Sequence, residues 1–204
     1  MSILIAYKRG DTVYMGTDTR VIVKDYKTRE LCECNLKIQK LDNGILLGVS
    51  AERLERQTII ANSDIFTLNK AGKLIRKHIV NEVIPRLISV FKDENLLMGK
   101  RDEFPYIKAQ ILLVYQGVIY EICSGFAVIR YESFQVMGRS SDFAHGVLLN
   151  TKNEDDVNER IVRALDIVAE NTQYVARPFV LIDSKNMQYQ FINEDDKYTV
   201  KKGE

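Results

Sequence analysis

The sequence has few of the residues from which metal and redox sites are built. It contains three cysteines, Cys32, Cys34 and Cys123, and two histidines, His78 and His145. A zinc site needs about four ligands, and these residues supply neither a C-x-x-C pair nor a histidine cluster. We therefore expect no metal and no cofactor. Cys32 and Cys34 are interpreted as small residues in a connection rather than as a redox pair.

The chain also lacks a strong net charge and a long apolar run. Its 29 Lys and Arg residues balance 28 Asp and Glu residues, so the net charge of +1 gives no reason to expect nucleic acid or an anionic membrane as a partner. No stretch approaches the roughly 20 apolar residues of a membrane-spanning helix, and no signal peptide is recognisable. We expect a cytoplasmic protein with no membrane or nucleic acid partner.

What is present is the composition of an ordinary globular protein. Hydrophobic residues make up 46% and charged residues 28% of the 204 positions, which suits one domain large enough to bury a full core. We predict a single domain over residues 1–204, in which Lys197–Glu204 forms a polar tail.

The first hairpin organises the chain. Two apolar, strand-like runs within residues 2–18 flank a turn at residues 9–11, which contains Gly10. A three-residue loop at this turn places Ser2 directly across from Asp18, with Cβ atoms about 5 Å apart. Once Met1 is removed, a hydroxyl at the N-terminus would lie beside a carboxylate.

An N-terminal serine can supply its own catalytic base. A hydroxyl is a poor nucleophile until a neighbouring base takes its proton, and the α-amine of the same residue can be that base. The free amine has a pKa near 8, and a nearby lysine lowers it because a second positive charge is disfavoured. A carboxylate beside that lysine would fix its position. The strand-like stretch 35–41 offers Lys37 and Lys40.

Each of these residues also has an ordinary structural explanation. Ser2 is explained as a start residue, Asp18 as a turn former at a strand end, and Lys37 as a surface lysine on a half-exposed strand. Taken singly, these explanations are the simpler ones. The coincidence of all three at compatible geometry favours a catalytic site.

Apolar periodicity predicts four helices, over residues 52–70, 73–91, 142–150 and 154–171. Pro85 should kink or break the second helix. Beyond the first hairpin, the predicted strands are 35–41, 45–49, 107–115, 117–123, 134–137, 178–183 and 187–192.

Two local features of this pattern leave alternatives open. Thr151 or Asn153 is the predicted N-cap of the fourth helix. The polar stretch 21–34 is interpreted either as a solvated loop or ribbon, or as a wall of a substrate cleft.

The order of elements indicates a fold class. The predicted order is strands, two helices, strands, two helices and strands. This order favours segregated α+β layers over an alternating α/β fold. Two stacked antiparallel sheets between helix pairs accommodate this order.

Five features occur in an order and spacing known from one family: Ser2 at the mature N-terminus, Gly16–Arg20, the pair Lys37–Ile38, the strand-to-helix passage Leu46–Glu52, and Val136–Gly146. In these features the chain resembles proteasome β-type subunits, and most of all the bacterial heat-shock-locus peptidase and its bacterial proteasome-like relatives. The resemblance implies the four-layer αββα sandwich of the N-terminal-nucleophile hydrolases.

The resemblance also implies roles for individual residues. Ser2 matches the nucleophile, which is usually Thr in the family, and Asp18 matches the aspartate before the buried loop. Lys37 matches the lysine that lowers the pKa of the amine. Backbone N–H groups around Val49, Ser50 and Ala51 match the oxyanion hole, where the side chain matters little because the donors are backbone groups.

Two positions depart from the family pattern. Arg139 stands where the family usually has a Ser that hydrogen-bonds the N-terminal amine, and Ser140 or Ser141 would substitute for it with a one-residue slip. Asn171 stands where many relatives have Asp. An asparagine still accepts a hydrogen bond, but it brings no charge.

Three functions are consistent with these residues. The resemblance implies a hydrolase that cleaves peptide or unfolded-protein substrates and assembles into a homo-oligomeric ring or helical array, and it raises an ATPase as a further partner. Arg139 and Asn171 favour the second function, a catalytically silent ring or scaffold subunit. The third is an N-terminal-nucleophile amidase acting on small molecules, which only the chemistry common to the superfamily supports.

Overall fold

The computed structural model describes residues 3–23, 26–29, 36–99, 104–152 and 156–193. The predictions for Ser2, Cys32, Cys34 and the tail Lys197–Glu204 lie outside these residues.

The described residues form strands and helices that we number in chain order. The strands are β1 (Ile3–Arg9), β2 (Thr12–Asp18), β3 (Arg20–Val23), β4 (Tyr26–Arg29), β5 (Ile38–Lys40), β6 (Leu46–Ala51), β7 (Ala109–Tyr115), β8 (Val118–Ile122), β9 (Val128–Tyr131), β10 (Phe134–Gly138), β11 (Phe179–Asp183) and β12 (Gln190–Ile192). The helices are α1 (Arg53–Ala61), α2 (Arg76–His78), α3 (Ile84–Asp93), α4 (Ser141–Asn150) and α5 (Val157–Asn171). Among them, none is both long and apolar enough to cross a membrane.

The strands form two antiparallel sheets of five strands each. The first sheet has the order β10-β1-β2-β11-β12, and the second has the order β5-β6-β7-β8-β9. Strands β3 and β4 form a separate two-stranded ribbon, as the ribbon interpretation of the polar stretch predicts. The first hairpin therefore lies at the centre of the first sheet.

Strand β1 shows how the layers are built. Successive side chains of a strand point to opposite faces. Ile3 and Ile5 pack against α4 and α5, whereas Leu4 and Ala6 pack against the second sheet. Both faces are buried, and this explains the unbroken apolar run in the sequence.

The second sheet is covered in the same way. Leu47 and Val49 of β6 pack with Ile59 of α1 and Leu87 of α3 on its outer face, while Leu46 faces the first sheet. Helices, sheet, sheet and helices therefore follow one another, and the predicted four-layer αββα sandwich is confirmed.

The hairpin register differs from the prediction by one residue. Arg9 pairs with Thr12, so the loop has two residues, and Gly10 has a φ of +59° at its first position. A two-residue hairpin loop with glycine first is a favoured geometry because its twist matches that of the strands. The predicted three-residue loop is wrong. Continuing the observed register places Asp18 opposite Ile3 rather than opposite Ser2.

The first predicted helix is shorter than expected. α1 ends at Ala61, and a 3-10 turn follows at Ser63–Ile65. The Asn62 side chain donates to the Thr58 carbonyl oxygen over 2.9 Å. A short polar side chain that bonds nearby backbone competes with helix continuation, which accounts for the early end.

The second predicted helix is present but changes its hydrogen-bond pattern. A π-helical segment, Ile79–Val83, joins α2 to α3. Pro85 is the second residue of α3, which directly follows this segment, so within the continuous helix it donates no N–H to a carbonyl of the preceding turn. Residues 76–93 stay helical throughout, so the helix does not break at Pro85, and the hydrogen bonding next to it changes from π-type to α-type.

Asp156 caps α5. Its Oδ1 atom accepts hydrogen bonds from the backbone N–H groups of Asn158 at 2.8 Å and Glu159 at 3.1 Å. The predicted cap Thr151 instead donates from Oγ1 to the Val147 carbonyl oxygen at 2.9 Å, so it closes the end of α4. The alternative cap, Asn153, lies outside the described residues.

Candidate active site

A buried ion pair lies where the first hairpin meets the second sheet. Asp18 ends β2, and Lys37 directly precedes β5. The Lys37 Nζ atom is 2.8 Å from Asp18 Oδ1, with side-chain exposures of 3% and 0%. Burying a charge is costly unless a partner compensates it, and here each charge is the partner of the other. Lys37 is therefore not the surface lysine of the simpler explanation.

Backbone groups from two strands complete the surroundings of the pair. Asp18 Oδ1 accepts from the Ile3 N–H over 3.3 Å, and Asp18 Oδ2 accepts from the Arg20 N–H over 3.1 Å. Lys37 Nζ also donates to the Arg20 carbonyl oxygen over 2.9 Å. The Ile3 N–H belongs to the peptide bond that joins Ile3 to Ser2. The ion pair is thus fixed beside the chain at the point where it continues to Ser2.

The other lysine of the same stretch lies elsewhere. Lys40 is exposed, and its Nζ atom lies 5.1 Å from the centre of the Tyr189 ring. Of the two sequence candidates, the structure brings Lys37 to Asp18.

The end of β6 lies beside Lys37. The Val49 N–H donates to the Lys37 carbonyl oxygen over 2.8 Å. Ser50 and Ala51 pair with β7, opposite Gln110 and Ala109. Because successive N–H groups of a strand point to alternate neighbours, the Ala51 N–H points to the same side as that of Val49, and the Ser50 N–H points toward β7. Because the Val49 N–H is already bonded to the Lys37 carbonyl oxygen, Ala51 is the best candidate of the three for an oxyanion donor.

The turn after β10 lies next to the start of β1. Gly138 pairs with Ile3, and Arg139 and Ser140 form the turn before α4, which begins at Ser141. Ser140 has a φ of +63°, and its side chain makes no capping hydrogen bond to α4. Ser140 and Ser141 are the predicted substitutes for the family serine. They therefore follow closely after Gly138, the pairing partner of Ile3.

Asn171 is turned toward its own helix. It is the last residue of α5, is exposed, and donates from Nδ2 to the Ile167 carbonyl oxygen over 2.8 Å. Within the described part of the chain, it makes no hydrogen bond to Asp18 or Lys37.

Two residues with no role in the sequence interpretation also belong to the site. Arg20 donates from an Nη atom to the carbonyl oxygens of Gln173 at 2.8 Å and Val175 at 3.4 Å. Tyr174, between them, stacks with Arg139, whose guanidinium carbon lies 4.2 Å from the ring centre. Arg20 lies within the stretch Gly16–Arg20, so the resemblance could have marked it, whereas no sequence pattern marked Tyr174.

A second polar cluster is centred on the buried Glu121. Its carboxylate accepts from Tyr131 Oη at 2.8 Å, from Gln135 Nε2 at 2.6 Å and from Gln110 Nε2 at 3.2 Å. Burial and the Glu121 carboxylate raise the pKa values of the Tyr131 hydroxyl and the Cys123 thiol. Because Gln110 pairs with Ser50, this cluster supports the strand that carries the candidate oxyanion donor.

The structure is similar to several solved structures. BPH of Thiobacillus denitrificans in complex with epoxomicin superposes with a TM-score of 0.69 at 13% identity, covering 89% of this chain and 97% of that one. Anbu of Pseudomonas aeruginosa, solved as a helical assembly, gives a TM-score of 0.67 at 16% identity, covering 96% and 88%. HslV of Trypanosoma brucei gives 0.61 at 14% identity, covering 89% and 98%.

No protein-family model and no curated protein matches the sequence. At the identities of these solved structures, the similarity establishes a shared fold.

Proposed function

We propose that this chain, which has the proteasome-like N-terminal-nucleophile hydrolase fold, is a cytoplasmic peptidase that cleaves peptide bonds through Ser2 after removal of Met1. The observation that carries the proposal is the buried Asp18–Lys37 pair, bonded to the Ile3 N–H. A buried ion pair is a weak source of stability because desolvation offsets its attraction. We attribute its position at the Ile3 N–H, one residue along the chain from Ser2, to catalysis.

In the proposed reaction, the α-amine of Ser2 takes the proton of its own hydroxyl as the oxygen attacks the scissile carbonyl carbon. The Ala51 N–H donates to the oxyanion that forms. The protonated amine then gives its proton to the leaving nitrogen as the C–N bond breaks, and an acyl ester remains on Ser2. The same amine deprotonates a water molecule, which hydrolyses the ester and restores the hydroxyl.

Lys37 has an electrostatic role in this scheme. A cation near the α-amine disfavours its protonated form and lowers its pKa from the reference value near 8. A larger fraction of the amine is then neutral and basic at physiological pH. Asp18 holds the lysine in place through the ion pair and through its bond to the Ile3 N–H.

Peptide turnover by the processed protein tests the proposal. Ser2→Ala should abolish turnover. Lys37→Met should lower kcat/KM nearly as far, because the loss of any one residue of a catalytic unit removes most of the activity of the whole unit. Since BPH is known in complex with epoxomicin, we also expect epoxomicin to inhibit this chain. Full turnover by pure Ser2→Ala protein would show that the nucleophile is another residue.

A catalytically silent subunit is the second candidate. Asn171 bonds within its own helix, and Arg139 stands in the turn beside β1, so neither supplies a carboxylate or a hydroxyl to the site. A silent subunit would show no turnover at any pH after mass spectrometry has confirmed the loss of Met1.

We also propose that the chain forms a homo-oligomer through its helix layers. Phe143 and Leu149 of α4 are 48% and 44% exposed, and an open cavity of about 430 Å³ lies between α4 and α5. Anbu of Pseudomonas aeruginosa forms a helical assembly. Light scattering at micromolar concentration should give a mass several times that of one chain, and a monomer would contradict the proposal.

A further inference from the structure

Arg139 is an exposed cation in the turn that follows Gly138, the pairing partner of Ile3. It directly follows Gly138, the last residue of β10, and Gly138 pairs with Ile3 at the start of β1. Its guanidinium lies over the Tyr174 ring at 4.2 Å. Within the described residues, no carboxylate forms an ion pair with it. A cation held against an aromatic ring is therefore exposed to solvent one residue after the pairing partner of Ile3.

The contacts that hold Arg139 are connected to the ion pair. Tyr174 lies between Gln173 and Val175, whose carbonyl oxygens accept from Arg20. The backbone N–H of Arg20 in turn donates to Asp18. Arg139 is thus held by the same set of contacts that surrounds the start of β1.

Stacking on a ring leaves the guanidinium able to bind an anion. The five N–H donors of arginine lie in its plane, whereas the aromatic ring contacts its face. A carboxylate that approaches in the plane can accept two parallel hydrogen bonds, a geometry that lysine does not offer. The ring contact also restricts the side chain before a ligand arrives, which lowers the entropy lost on binding.

We infer that Arg139 is a specificity-determining residue that selects substrates with a carboxylate next to the scissile amide. The inference rests on the proposed hydrolase function. The carboxylate can come from an acidic side chain on the acyl side, from one on the leaving side, or from the C-terminus of a short peptide. All three present the same chemistry to the guanidinium, and peptide design distinguishes them.

The kinetic test compares matched peptides that carry Glu or Gln on either side of the scissile bond, and peptides with a free or an amidated C-terminus. We expect roughly a five-fold preference for the carboxylate at one of these places, the size of an exposed ion pair. The preference should appear in KM rather than kcat and should weaken at high salt. Arg139→Gln should remove it, and Arg139→Glu should reverse it toward a Lys peptide.

Control variants separate the charge from the fold. Tyr174→Phe keeps the ring and should keep the preference. Arg130→Gln removes another half-exposed arginine, one that pairs with Glu132 at 2.8 Å, and should leave the preference unchanged.

A binding experiment decides the inference even if the chain does not turn over peptides. Ser2→Ala protein is titrated with the fluorescently labelled Glu and Gln peptides, with and without Arg139→Gln. Tighter binding of the acidic peptide that depends on Arg139 supports the inference, whatever the turnover. Equal affinities for both peptides, no binding of either, or a preference that survives Arg139→Gln overturns it.

Discussion

At the scale of single residues, the site consists of buried charges that depend on one another. Asp18 and Lys37 are nearly inaccessible to solvent and form a 2.8 Å ion pair. Removing one member leaves the other charge buried without its counter-ion, which is more costly than removing both. Because of this difference in cost, the pair can be tested through the free energy of unfolding as well as through activity.

Lys37→Met should lower the free energy of unfolding by about 3–5 kcal/mol because Asp18 stays buried without its cation. Denaturant unfolding measures the change. Lys77→Met removes an exposed lysine on α2 and should change stability by less than about 0.5 kcal/mol. Equal stability of Lys37→Met and the wild type would show that the pair is not buried in solution.

Tyr131 gives a prediction for alkaline pH. Burial, and then Glu121, raise the pKa of its hydroxyl above the usual value near 10. The folded state therefore keeps a proton that the unfolded chain loses, so the contribution of Tyr131 to stability is complete below about pH 10 and declines above it. The difference in Tm between wild type and Tyr131→Phe should shrink as the pH rises beyond 10. A constant difference would contradict the raised pKa.

The sequence predicted the residues of the pair but not their register. Asp18 and Lys37 were identified, yet the loop was assigned one residue too many, because Arg9, Gly10 and Asp11 all suit a turn. Gly10, which suits the first position of a two-residue loop, was the signal that could have indicated the shorter loop. Tyr174 could not be found because its contact with Arg139 joins residues 35 apart in the chain, which no local pattern encodes.

At the scale of elements, single side chains decide where a helix begins and where its hydrogen bonding changes. Asp156 begins α5 through two hydrogen bonds, and Pro85 coincides with the change from π-helix to α-helix. The strand β9 was missed because only Val128 of its residues is fully buried, so its apolar pattern is weak. A short edge strand with an exposed face has little periodicity to recognise.

Asp156→Ala should lower the free energy of unfolding by about 1 kcal/mol because two N–H groups at the start of α5 lose their acceptor. Asp156→Asn keeps an oxygen at the same position and should retain most of the stability. Thermal or denaturant unfolding measures both variants. A loss in the asparagine variant equal to that in the alanine variant would indicate that charge, not capping, is what matters.

At the scale of the whole molecule, two sheets approach closely at Gly48. A Cβ atom there would lie 2.8 Å from Met15 Cε and 3.1 Å from Leu4 Cδ2 across the layer.

The apolar runs in the sequence predicted which strands are buried, but they did not predict the order of the strands in each sheet. For example, β1 pairs with β10, more than 120 residues away, and the fold class came from the order of elements and the family resemblance.

Gly48→Ala should destabilise the protein by about 1 kcal/mol because the added methyl displaces the flexible end of Met15 and presses on Leu4 between the sheets. Gly125→Ala is the matched control, since nothing lies within 4 Å of its added Cβ, and it should change stability little. Denaturant unfolding compares the two. If both variants were equally stable, the sheets would have to be more loosely packed than described.

The central claim is that Ser2 is the nucleophile, and mass spectrometry of the protein from its native host tests it most directly. The protein is mixed with a peptide substrate, quenched in acid during turnover and digested. The account predicts a chain that begins at Ser2 and an acyl adduct on the N-terminal fragment, absent from Ser2→Ala. Turnover by protein that retains Met1, or an adduct on another residue, would contradict it.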